Sequence, residues 1–364
     1  MQIVIVGGDV GPDGEFEQTL ADMGLDWDIC RIAGPAAALE LQSDLAVDVF
    51  VSSLSGGLHQ GVALMAQLRS RYPEAMRILL LDEGNNFVAS EALEYAHRLL
   101  HRPLDACELI EAVESVVDLR ELLDNDELKQ TVGRAGSLAP PPRLYLDLIQ
   151  LLRDPEAGNG EIAELLSQDP AIVAKVLRLC NSAYFSNGRV IADICAAVTR
   201  LGQHALHRLV LATEAYGGSG TPGVDREAMQ DRALRTSKLA RRLLAGPSAE
   251  LAATAGLLAE VGLLLPGVRG RDDPDGAGGP HYAEAGAYLL GMWGLPMPIV
   301  EAVARHHNPG GRRSGRGFWV AGAVHVASAL VADAPVDEDY LRSVGMIDKL
   351  PLWRSMLEPV AEAA

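Results

Sequence analysis

The run TAGLLAEVGLLLPG, from Thr254 to Gly267, carries one charged group, Glu260, among residues suited to burial. A carboxylate isolated there is costly unless it is paired, protonated or bound to a cation. Three imidazoles follow at His281, His306 and His307. If they converge on Glu260, the four side chains form a ligand set suited to zinc or iron. The same residues also allow a satisfied polar cluster in a helical core, with Glu260 held by one of the histidines or by Arg305. The loop RHHNPGGRRSGRGF, from Arg305 to Phe318, adds Arg312, Arg313 and Arg316. These could receive an anion through charge-assisted bonds, although the glycines between them fit a solvated loop equally well. His204 and His207 share a helix face, but no third ligand accompanies them.

Composition limits what such groups could serve. The chain has 364 residues, 48% hydrophobic and 22% charged, enough for two domains with ample cores. Its 31 basic and 49 acidic residues give a net charge of −18, which argues against nucleic-acid and anionic-membrane partners. Apart from that loop, the short basic stretch is Arg241-Arg242, read as solvated surface. The cysteines Cys30, Cys107, Cys180 and Cys195 lack C-x-x-C spacing and read as buried thiols of a reducing compartment. No apolar run is long enough to span a bilayer, and the start does not resemble a signal peptide. A cytoplasmic protein is expected.

The elements that must position these groups fall into two sets. Residues 2–6, 27–32, 47–53, 77–81 and 96–100 read as strands, alternating with helical patterns. Five strands alternating with five helices predict a parallel sheet covered on both faces, with functional groups at the carboxyl ends of the strands. The last of these helices, LDACELIEAVESVVDLRELLDNDELKQTV, is expected to continue past the sheet until GRAGSLAPPP breaks it. Beyond Arg143 the pattern is helical throughout. Asp169 is a natural N-cap before Pro170, and Ile172, Val173, Val176, Leu177 and Cys180 form one apolar stripe. The expected organisation is 1–121 for the α/β domain, 122–142 for a linker helix and proline-rich connection, and 143–364 for the helical domain.

The order of pieces in the first domain resembles the receiver domain of bacterial response regulators, a flavodoxin-like fold. AHRLLHRPLDACELIEAV is the segment that matches best. The resemblance implies an acidic pair after strand one, a phosphoacceptor aspartate after strand three, a hydroxyl after strand four and a lysine after strand five. Here the acidic pair falls on Gly7 and Gly8, with Asp9 adjacent. The phosphoacceptor falls on Ser53, the hydroxyl on Asp82 and the lysine on Arg102. Asp9 and Asp82 could attract a cation, but a neutral hydroxyl at Ser53 does not form an acyl phosphate. A pseudo-receiver kept for protein contacts is expected, with its fourth and fifth helices as the implied dimer face.

The helical half resembles the HD-related output domain, HDOD, through LLRDPEAGNGEIAELLSQDPAIVAKVLRLCNSAYF, AVTRLG, LHRLVL, TAGLLAEVG and HYAEAGAYLLGMWGLPMPIVEAVARHHNP, in that order. Such domains are related to HD and HD-GYP metal-dependent phosphohydrolases. In those enzymes, the resemblance implies, a histidine, a His-Asp pair and a later aspartate hold a metal that activates water. These fall on Thr236, Ala259-Glu260 and Ser328, and a lysine of the cyclic-dinucleotide branch falls on Leu263. His281, His306 and His307 match positions that supply further ligands in that branch. The expectation is a bacterial signal-transduction regulator, a pseudoenzyme of two-component type without cofactor, acting on signalling proteins. A homodimer through the receiver-like domain or linker helix would fit. The alternatives are a phosphohydrolase using Glu260, His281, His306 and His307 with a divalent transition metal, and a cyclic-dinucleotide sensor using Arg312 and Arg313.

Overall fold

The computed structural model describes residues 1–7, 15–41, 46–53, 58–82, 92, 94–135, 148, 151, 157–181, 190–202, 206, 224–271, 279–310 and 317–357. Five short segments form β1 (Gln2–Val6), β2 (Asp28–Ile32), β3 (Val49–Ser53), β4 (Met76–Leu81) and β5 (Arg98–His101). They pair in parallel in the order β2-β1-β3-β4-β5. This is the flavodoxin-like order, with the strand sequence reversing between β1 and β3. β3 and β4 are buried along their whole lengths, as a sheet covered on both faces requires. The helices α1 (Glu15–Asp22), α2 (Pro35–Glu40), α3 (Leu58–Arg71) and α4 (Ala106–Leu122) accompany the strands. The expected helix between β4 and β5 falls mostly outside the described residues.

The helix that follows β5 is not continuous. α4 stops at Leu122, and α5 (Asp126–Arg134) begins anew with Asn125 as its cap. The Asn125 side chain accepts from Glu127 N at 2.9 Å and Leu128 N at 3.3 Å, satisfying amides that a continuous helix would pair internally. α5 then folds back onto the sheet domain. A Cβ on Gly133 would lie 1.7 Å from the Pro73 carbonyl oxygen, so only glycine permits the approach. The expected single linker helix is therefore two helices packed against the body, and the proline-rich connection lies outside the described residues.

The second half is helical: α6 (Asn159–Leu166), α7 (Pro170–Asn181), α8 (Arg226–Leu243), α9 (Pro247–Leu258), a 3-10 turn (Val261–Leu264), α10 (Tyr282–Met292), α11 (Met297–Arg305), α12 (Val320–Val331), α13 (Glu338–Ser343) and α14 (Leu350–Ser355). Asp169 caps α7 as expected, accepting from Ala171 N at 2.8 Å and Ile172 N at 3.1 Å. α7 departs from the expected one-sided stripe, because every residue from Pro170 to Cys180 is buried. Its polar face is covered by the first domain. Arg178 donates to the carbonyls of Ala96 and His97 and lies over the Trp293 ring at 4.4 Å. From the other side, Arg98 of β5 donates to Met292 O at 3.3 Å and Gly291 O at 3.1 Å, at the end of α10. α4, half of the implied dimer face, packs here against α10 and α11. The cysteines also differ from expectation: Cys180 is buried, Cys30 is half-buried, and Cys107 and Cys195 are exposed. No described helix is long and apolar enough to cross a membrane.

Candidate functional site

Glu260 sits between α9 and the 3-10 turn, where the backbone bends because Gly262 presses on α10. A Cβ on Gly262 would lie 1.9 Å from Tyr282 O, so glycine lets the turn seat directly on that helix. The bend aims the Glu260 side chain, 12% exposed, at α8 and at the strand-like bridge Arg269–His281. Two guanidiniums meet it. Arg232 donates from Nη2 to Oε2 at 2.8 Å and from Nε at 3.1 Å, and Arg271 Nη1 lies 2.7 Å from Oε1. Neither a histidine nor Arg305 holds the carboxylate, contrary to the polar-cluster expectation. Arg305 instead lies 3.5 Å from Glu301, one turn back on its own helix.

The three histidines do gather, around Tyr282. Its hydroxyl is 3.0 Å from His306 Nε2 and 2.6 Å from His307 Nε2, and the His281 and His307 rings meet edge-on at 5.1 Å. The partners fix the protons. His306 Nδ1 is 2.7 Å from the Val303 carbonyl, an acceptor only, so Nδ1 carries the hydrogen and Nε2 accepts from Tyr282. The Tyr282 oxygen then accepts from His307 Nε2. Burial drives the Tyr282 phenol upward, keeping it protonated and able to donate. The same burial pushes His306 down to about 3 and His307 to about 4, so both are neutral near pH 7. His281 is likewise lowered, by burial and then by Arg269, and its Nδ1 caps α10 by accepting from Ala283 N at 3.3 Å. The network continues through His325, which donates from Nδ1 to His306 O at 2.7 Å and accepts from Asp337 N at 2.9 Å.

These donors do not fit a metal ion. The Glu260 oxygens are taken by guanidiniums, positive charges where a cation would have to stand, and both nitrogens of His306 are committed. Among the described residues no group of three or more His, Cys, Asp or Glu side chains is placed to hold one. The remaining positions matched to metal ligands are similarly spent. Thr236 is buried on α8, Ala259 ends α9 in the core, and Ser328 Oγ donates to His325 O at 3.1 Å. Sequence reasoning missed Arg232, Arg271, Tyr282 and His325. Arg232 had a local signal, since it precedes Thr236 by four residues and so shares its helix face. Arg271 had none, standing in the glycine- and aspartate-rich stretch GVRGRDDPDGAGGP, where no helical or strand period assigns it a face.

In the first domain Gly7, Ser53, Asp82 and Arg102 lie at the carboxyl ends of β1, β3, β4 and β5. Ser53 is buried, and Arg102 Nη1 lies 3.6 Å from Asp82 Oδ1 across that end. Gly8 and Asp9 are outside the described residues, as are His204, His207, Arg312, Arg313 and Arg316. Arg241 and Arg242 are exposed, Arg241 pairing with Glu250 at 2.8 Å.

Comparison with known proteins bears on part of the helical half. Residues 138–270 match the HDOD domain model. An uncharacterized protein of Treponema pallidum (strain Nichols) is 28% identical over 213 residues, 49% of this chain; the match spans 40% of that relative's length. Among solved structures, the MmoQ response regulator of Methylococcus capsulatus str. Bath is 21% identical, with a TM-score of 0.48 over 60% of this chain and 98% of its own. A virulence factor of Campylobacter jejuni is 17% identical, with a TM-score of 0.48 over 67% of this chain and 99% of its own. Residues 138–270 are thus similar to the HDOD domain, and they follow a flavodoxin-like domain built on a five-stranded parallel sheet.

Proposed function

We propose that this chain is a non-catalytic signal-transduction regulator of the bacterial cytoplasm, working without a cofactor through protein contacts of its pseudo-receiver and HDOD domains. The observation that carries the reading is the seating of Arg232 and Arg271 on Glu260. A carboxylate neutralised twice over is a poor metal ligand, and without a metal the neighbouring imidazoles have no activated water to deliver. The buried hydroxyl of Ser53 supports it from the other domain, because phosphotransfer to a receiver needs a carboxylate there. The partners on this reading are signalling proteins, and a second copy of the chain is a further candidate.

The competing reading is a metal-dependent phosphohydrolase using Glu260, His281, His306 and His307. One experiment separates them: metal analysis of the purified full chain, with assay of a generic phosphodiester in added manganese. The expected result is no stoichiometric transition metal and no turnover above a Glu260→Ala control. Bound metal together with Glu260-dependent hydrolysis would replace the regulator by the enzyme. In parallel, treatment with acetyl phosphate and magnesium should leave the intact mass unchanged.

A further inference from the structure

We propose that the cluster around Glu260 receives a phosphate group, free or carried as a monoester, on Arg232, Arg271 and His281. Such a site presupposes the metal-free reading above and goes beyond it by giving the regulator an input. A transition ion would have to displace both guanidiniums from Glu260, whereas an anion meets what they have left over.

Glu260 uses only part of each arginine. It takes Nε and Nη2 of Arg232 and Nη1 of Arg271. Among the described residues no acceptor meets Arg232 Nη1, or the Nε and Nη2 of Arg271. The two side chains are 26% and 25% exposed, and none of these three nitrogens is among the buried atoms without a partner. Their spare edges therefore face solvent, already oriented by a carboxylate, in the arrangement that suits an oxyanion. The two arginines and Glu260 together keep one net positive charge on a chain of −18. Asp225, the next carboxylate toward Arg232, spends its side chain on capping α8, accepting from Ala228 N at 3.0 Å.

The histidines border the same charge. After burial, the groups that act on Tyr282 are Glu260, Arg271 and Arg232, and Tyr282 is the residue that gathers the rings. Burial and then Arg269 depress His281; burial, His281 and then Arg271 depress His307. Because His281 Nδ1 accepts from Ala283 N, its hydrogen sits on Nε2, a further donor. His307 Nε2 donates to Tyr282, so its Nδ1 carries a lone pair, and the residue is exposed. The site thus offers several donors and one acceptor. A carboxylate has too few oxygens for those donors, and sulfate brings no proton for the acceptor. A phosphate group has at least three free oxygens and, with a second pKa of about 6, a proton to share with His307.

Calorimetry on the full chain at constant ionic strength, at a pH of about 6, tests this with inorganic phosphate, phenyl phosphate, sulfate and acetate. Metal content is measured on the same sample. Inorganic phosphate or phenyl phosphate should bind at one site, the tighter of them identifying the source, with sulfate and acetate about tenfold or more weaker. Arg271→Gln and Arg232→Gln should each weaken the phosphate by about tenfold or more, the scale of one lost charged hydrogen bond. Arg235→Gln, an exposed change on the same helix where Arg235 pairs with Asp231, should not. The imidazole NMR signals of His281 and His307 should move with the phosphate in the native chain and stay still in Arg271→Gln. A metal-free sample that binds neither phosphate overturns the site and leaves the regulator standing, whereas stoichiometric metal would remove both. Binding that survives both glutamines, falls equally with Arg235→Gln, or is matched by sulfate also overturns it.

Discussion

Removing the charge at Glu260 would strand Arg232 and Arg271 beside one another, whereas removing either arginine leaves the carboxylate one partner. Glu260→Ala should therefore cost more than either single arginine change. With both guanidiniums about a quarter exposed, the loss should be about 1–3 kcal/mol in urea unfolding. A double-mutant cycle should show that the arginine effects do not add. The histidines make a separate prediction. His306 and His307 have folded-state values depressed to about 3 and about 4, below the ordinary 6.5 of the unfolded chain. Between those values the unfolded state binds more protons, so stability is fully present above pH 6.5 and declines as the pH falls toward 4. His306→Gln should flatten that decline more than His307→Gln, because His306 is enclosed and His307 reaches the surface. Equal slopes in the two variants would contradict the assignment.

The elements were legible wherever a local period decides the outcome. β1, β3 and β4 are dominated by apolar residues, with Arg77 the one charge among them, and their alternation with helices left little choice but a parallel sheet. α7 was legible only in part. Its apolar stripe showed, but nothing local marks Lys175 and Arg178 for burial, because the groups that receive them, Glu94 and the carbonyls of Ala96 and His97, lie some 80 residues away. The break after Leu122 was signalled by Asp124 and Asn125, yet the leucines on either side kept the helical period running through it. Site residues showed the same division. Glu260 and the histidines stood out by type, whereas the arginines and Tyr282 acquire their roles only when α8, α10 and the bridge after the 3-10 turn are brought together. The tightest of those approaches gives an element-level prediction. Gly262→Ala should lower stability by about 3 kcal/mol through overpacking against Tyr282 O, read as a fall in Tm, while Gly160→Ala, where a Cβ meets open space, should not.

For the whole molecule, the seam between the halves decides how it unfolds. Arg98 and Arg178 each donate to backbone carbonyls of the opposite domain, and Gly291 lets Leu119 pack against the end of α10. Burial depresses Arg98 to about 10 and Arg178 to about 9, so both stay charged at neutral pH and keep donating. Calorimetry should accordingly show the native chain melting in one transition, and Arg98→Ala with Arg178→Ala should split it in two. A native profile already in two steps would mean that the seam does not couple the halves. The full enclosure of α7 carries a practical consequence for anyone recombining such proteins. Because that helix offers a surface to each half at once, exchanging the leading domain for another at the proline-rich connection would leave Lys175 and Arg178 without the groups that receive them. A working chimera would have to transplant residues 94–98 of the old partner along with the helix they cover.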